Sequence, residues 1–164
     1  MTLTLTGWIH TIFGIIALIA GFILLWQNKR ISWQPQLGKI YLLATLLTAA
    51  FSLTIFNHGG FNVAHGLGIL TILAVVVGML AEKYQPLRGL NKYFVALCYS
   101  ATILFHLLPT TTEIMIRFPL DSPWVSSLKD PLLHQTFLII TVIFLVMLIS
   151  QMWWLRKQPD SSFS

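Results

Sequence analysis

Charge is what this chain has least of. Only 9% of its 164 residues are charged, against 56% hydrophobic, and the mean hydropathy is +0.78. A soluble domain of this size needs far more polar surface to cover its exterior, so an integral membrane protein is expected. Cysteine is nearly missing too. Cys98 stands alone, which excludes an internal disulfide and any metal site built on a CxxC pair. No P-loop, GxGxxG, GxSxG or HExxH pattern occurs, so there is no phosphate cradle, dinucleotide turn, nucleophile elbow or zinc-protease helix. No basic residue precedes the first apolar run, so no cleavable signal is expected. The net charge of +5 falls in short clusters at the ends of apolar segments. That pattern sets membrane topology and does not form a nucleic-acid stripe, so no nucleic-acid partner is expected.

What the chain does have is apolar segments of spanning length. The first covers residues 7–26, with His10, Gly14, Ala17 and Gly21 inside a sector of about 60°. Small residues on one face let a neighbouring helix approach, so this face is expected to pack and His10 to point inward. The second covers 37–57 and aligns Tyr41, Thr45, Thr48 and Ser52 on one side. The third runs over 62–84 behind an Asn62 cap, with Thr71, Ala74, Gly78 and Ala81 on a face away from His65. The fourth starts near Asn91 and is too short to span if it stops at Pro109, so it is expected to continue to Arg117. Pro109 frees the carbonyl of Phe105 and predicts a kink. Asp130 and Pro131 suit a cap and first helical position, opening a fifth segment over 131–155 with His134 and Thr141 on one face. Residues 1–157 then form a single transmembrane domain, and 158–164 a disordered cytoplasmic tail.

Lysine and arginine orient this bundle. Lys29, Arg30, Lys39, Lys83, Arg88, Lys92, Arg156 and Lys157 fall on one side, and only Arg117 and Lys129 on the other. The expected fold is therefore all-α, an integral membrane bundle of five transmembrane helices with the N-terminus outside and the C-terminus cytoplasmic. His10, His58, His65, His106 and His134 all map to the outer side, with Glu113, Asp121 and Asp130.

The fourth segment concentrates the chemistry. On a helix, Tyr99, Thr102, His106, Thr110, Glu113 and Arg117 share a sector of about 80°. Ionisable groups at membrane depth are costly, so they face a protein interior, a cavity or the interface. The plainer alternative is an ordinary helix end with Glu113 and Arg117 as an i,i+4 ion pair. Histidines with a carboxylate are a common ligand set for transition metals, and paired histidines ligate haem. The expected cofactor ligands are His10, His106 and His134 with Glu113. A plain metal would draw on His10, His65, His106 and Glu113, with Tyr99, Thr102 and Arg117 around them. His58, in a turn beside two glycines, is read as an interfacial residue.

The segments HTIFGIIALIAG, QLGKIYLLATLLTA, HGLGILTI and YSATILFHLLPTTTEIMIRFP resemble a bacterial predicted-membrane-protein family, domain of unknown function 2306, over about two-thirds of the chain. The resemblance picks out His10, Gly38, Tyr41, His65, Tyr99, Glu113, Arg117 and Pro119, and it implies a multi-pass protein of the bacterial inner membrane. Family members often carry histidine where Gln36 stands and at the position of Asn91 and Lys92, so an inner-face histidine site is not expected here. The family brings no established activity. The expected function is binding of a redox-active metal or b-type haem at an outer-face pocket, with electron transfer and a quinone as candidate partner. The alternative is a non-catalytic subunit whose apolar faces pack on other membrane subunits within the lipid bilayer. Whether the chain is an enzyme is left open.

Overall fold

A computed structural model describes residues 4–56 and 60–159. Five α-helices follow one another: α1 Leu5–Asn28, α2 Gln36–Ser52, α3 Val63–Tyr84, α4 Asn91–Arg117 and α5 Pro131–Arg156, with a short 3-10 turn at Arg88–Leu90. No strand occurs among the described residues. α1, α3, α5, and α4 with its leading turn are long and apolar enough to cross a membrane; α2 is shorter.

Local chemistry sets the ends. The Thr4 hydroxyl accepts from the Gly7 amide and opens α1, and Lys29 closes it in the left-handed region. Asn62 and Asp130 accept from the amides of Ala64 and Leu132 and open α3 and α5. α4 runs unbroken through Pro109 to Arg117, as its length requires. The second segment departs from expectation: the helix ends at Ser52, although apolar sequence continues to Phe56. Hydropathy reports burial in lipid or protein and does not distinguish helix from turn. His58 and Asn57 lie outside the described residues, as does 160–164 of the expected tail.

The helices meet where one of them is thin. α1 and α2 pack at Gly21, where an added Cβ would stand 2.7 Å from the Tyr41 ring and 2.5 Å from Ile103 of α4. α3 meets α4 at Gly78, where a Cβ would come within 2.6 Å of the Tyr99 ring. α3 meets α2 at Gly68, against the Ser52 hydroxyl. Among lipid tails these close approaches, with hydrogen bonds, hold helices together, because burying apolar surface gains little there. The core gathers Ala17, Leu24, Tyr41, Leu42, Tyr99 and Ile103 at mid-bundle. A smaller cluster of Met115, Val125 and Leu133 seats the α4–α5 connection.

α5 is the most exposed helix. Only Leu133, Phe144, Gln151 and Leu155 are buried on it. Gln151 ties it in: Oε1 accepts from the Ser100 hydroxyl of α4, and Nε2 donates to the Lys29 carbonyl beyond α1, both at 2.8 Å.

Candidate functional site

The interior of this bundle carries polar side chains from all five helices, and those of α1 and α4 meet on α2. Of its aligned hydroxyls, Tyr41, Thr45 and Thr48 are buried as the spacing predicts, and Ser52 at the helix end is half-buried. His10 of α1 places Nδ1 at 2.9 Å from the Thr48 carbonyl. A carbonyl can only accept, so Nδ1 carries a hydrogen, and in the neutral ring Nε2 then holds the lone pair. One turn earlier on α2, the Thr45 hydroxyl stands 3.2 Å from Nε2 of His106, which α4 brings in at 6% exposure. The two imidazoles lie within electrostatic reach of each other. The Thr48 hydroxyl beside them is buried and has no hydrogen-bond partner, an arrangement that costs free energy unless something else satisfies it.

From His106 the polar run continues toward the basic end. Tyr41, one turn before Thr45, places Oη 2.5 Å from the Thr102 hydroxyl and 3.4 Å from the Tyr99 carbonyl, to which Thr102 also donates. Tyr99 carries the run across α4: its own hydroxyl donates to Glu82 of α3 at 2.8 Å. The Glu82 carboxylate also accepts from the Ser32 hydroxyl at 2.5 Å and from the Trp33 amide at 3.1 Å on each oxygen. Arg30, on the same loop, feels this carboxylate; burial lowers its pKa and Glu82 partly offsets that.

The expected site residues thus separate. Tyr99, Thr102 and His106 of the α4 stripe are buried at 0%, 0% and 6% exposure, while Glu113 is exposed and pairs with Arg117 at 2.6 Å. At that exposure the pair contributes about 0–1 kcal/mol. His134 is exposed, edge-on to Phe137. His65 is buried, contrary to its expected separation from the packing face of α3. That face drifts around the helix through His65, Gly68, Thr71, Val75, Gly78 and Ala81, because α3 leans on α2 first and on α4 later. The His65 ring completes the Asn62 cap, packs against the rings of Phe56 and Phe61, and leaves Nε2 without a partner. Among the described residues, no three His, Cys, Asp or Glu side chains gather as a metal-holding group.

Sequence reasoning missed two members of this interior. Glu82 reads as loop charge, yet it stands four residues after Gly78 and next to Ala81, on the packing side of α3. Gln151 is a lone amide in an apolar run, and a polar residue at that depth is itself a signal. The chain matches no protein-family model, no curated protein and no solved structure.

Proposed function

We propose that the chain crosses a bacterial cytoplasmic membrane five times, with its N-terminus outside and its C-terminus in the cytoplasm. The eight-to-two split of lysine and arginine supports the orientation. In a Cys98→Ser background, Ser126→Cys should react with an impermeant maleimide from outside, and a reporter fused after Ser164 should be cytoplasmic. The reverse pattern overturns the orientation.

Within that bundle His10 and His106 bind a redox-active metal ion or a b-type haem, as the likeness to the uncharacterised membrane family leaves open. One observation carries this reading: two imidazoles from different helices are held on consecutive turns of α2. A ring whose Nδ1–H is spent on a backbone carbonyl offers Nε2 as a ligand of fixed tautomer. If a haem were bound, the two imidazoles would be the residues to hold its iron, and the group would supply a one-electron redox centre. A bare ion would complete its coordination with solvent or substrate. Glu113, His65 and His134 have contacts of their own and are not needed for a two-imidazole site.

Protein purified without chelators should show a Soret band, or about one equivalent of transition metal per chain. Either should disappear in His106→Ala and in His10→Ala while helix content is kept. Because the ligands must be neutral imidazoles, metal retention should fall as acid protonates them. Protein carrying neither, with histidine variants that remain folded, sinks the cofactor reading. The long apolar face of α5, buried at few positions, then favours a non-catalytic subunit that packs on other membrane proteins.

A further inference from the structure

The connection from α4 to α5 is folded, and it turns large apolar side chains outward. The Ser122 amide donates to the Pro119 carbonyl, Trp124 to Phe118 and Asp130 to Ser127, at 3.1 to 3.2 Å. The Val125 amide donates to the Met115 carbonyl at 3.2 Å, which brings the loop back alongside the last turn of α4. The Val125 side chain is 2% exposed and packs with Met115 and Leu133. Phe118, Leu120, Trp124 and Leu128 are exposed instead, Leu120 at 79% and Trp124 at 59%. A loop of fixed shape that shows four such side chains marks a surface with a partner.

Their depth follows from α4. No aspartate, glutamate, lysine or arginine stands between Lys92 and Glu113, and that length of helix rises about 32 Å. A hydrocarbon layer is about 30 Å thick, so an α4 that crosses it has Lys92 at one edge and Glu113 at the other. Met115 lies only about 3 Å beyond Glu113 along the axis. The Val125–Met115 bond holds Val125, and Trp124 beside it, near that level. The polar layer outside the hydrocarbon is roughly 5–8 Å deep on each side.

We infer that the α4–α5 connection is a preformed anchor seated in the lipid headgroup layer. A water-borne protein could cover Trp124 at this depth only by displacing headgroups, whereas an indole is at home there. Attraction to anionic lipid is not what seats it. The loop carries Asp121, Lys129 and Asp130, with no basic excess, and Arg117 is already paired with Glu113. Because the backbone is folded beforehand, insertion has little ordering entropy to overcome. The anchor fixes how deep this end of α4 lies, and with it His106, two turns further in. The inference rests on α4 crossing the membrane, as proposed above, but not on which end faces outside or on any cofactor.

The test places single cysteines at Leu120, Trp124, Ser126 and Ile143 of the full chain, in a Cys98→Ser background. Each carries a nitroxide label in phosphatidylcholine vesicles, where collisions with oxygen report lipid and collisions with a water-soluble nickel chelate report water. The oxygen-to-nickel ratio should be several-fold higher at Leu120 and Trp124 than at Ser126, and unchanged when phosphatidylglycerol is added. Ile143, exposed at mid-α5, reports whether the bundle spans at all. Bromolipid quenching of tryptophan fluorescence adds a second reading on a nearly unaltered chain. Trp124→Phe should lower quenching by lipid brominated near the headgroup and leave quenching by lipid brominated near the chain end as it was. Nickel access at Leu120 and Trp124 equal to that at Ser126, with Ile143 in lipid, overturns the anchor and leaves the face to a water-borne partner. Seating that appears only with phosphatidylglycerol overturns it as well, because charge would then be the cause. Ile143 in water would overturn the spanning reading itself, and the anchor with it.

Discussion

Replacing Gly38 with alanine should abolish folded protein. An added Cβ there would overlap the carbonyl oxygen of Ser32. That atom is backbone, in a loop whose Ile31 is 2% and Ser32 8% exposed, so no side chain can swing away to make room. The loop must shift, and shifting it breaks the Ser32 and Trp33 bonds to Glu82. Overpacking an ordinary core costs about 1–3 kcal/mol, and this site lacks the give that keeps the figure so low. Gly66 is the control, with nothing within 4 Å of its added Cβ. Alanine there should be neutral, or stabilising by up to about 1 kcal/mol from helix propensity. Folded yield and thermal unfolding in detergent read both variants. A Gly38→Ala protein that melts like the parent would show that the loop does not lie against α2.

Glu82→Leu should come next in severity. The carboxylate accepts from the Tyr99 hydroxyl, the Ser32 hydroxyl and the Trp33 amide, joining α3, α4 and the α1–α2 loop. Leucine leaves all three donors without a partner, and Arg30 without the charge it feels. Each stranded buried donor costs about 1–3 kcal/mol, so a loss of about 3–5 kcal/mol is expected after relaxation. Glutamine should cost less, about 1–2 kcal/mol, because one oxygen still accepts. Tyr99→Phe together with Glu82→Leu should be less damaging than the sum, since the phenol no longer needs an acceptor. Strict additivity in that cycle would mean that the two groups do not interact.

Much of this bundle is legible before folding. Apolar length and the caps at Asn62 and Asp130 locate α3, α4 and α5 within a residue or so, since each cap satisfies amides that nothing else can reach. The hydroxyl face of α2 and the inward turn of His10 and His106 follow from helical spacing alone. The rest fails for one physical reason: a helical face is constant along the axis, but the neighbours that cover it are not. α2 and α3 cover Tyr99 to His106, whereas Glu113 is exposed, although all share one sector. The same change of neighbour turns the packing side of α3 and hides both His65 and Glu82 from a fixed-face argument. Distances between helices, which bring Thr48 to His10 and Gln151 to Lys29, have no signature in a single sequence.

On the proposed five-span reading, the shortness of α2 bears on the surrounding lipid. Its 17 residues rise only about 26 Å, whereas a hydrocarbon layer is about 30 Å thick. The flanking helices of 22 to 27 residues are long enough to tilt. If α2 crosses the membrane as proposed, the bilayer beside it must thin by a few ångströms or admit headgroups toward residues 53–56. Acyl-chain length then becomes a variable that acts on the His10–Thr48 end of the bundle: thicker membranes would strain that corner, and thinner ones would relax it.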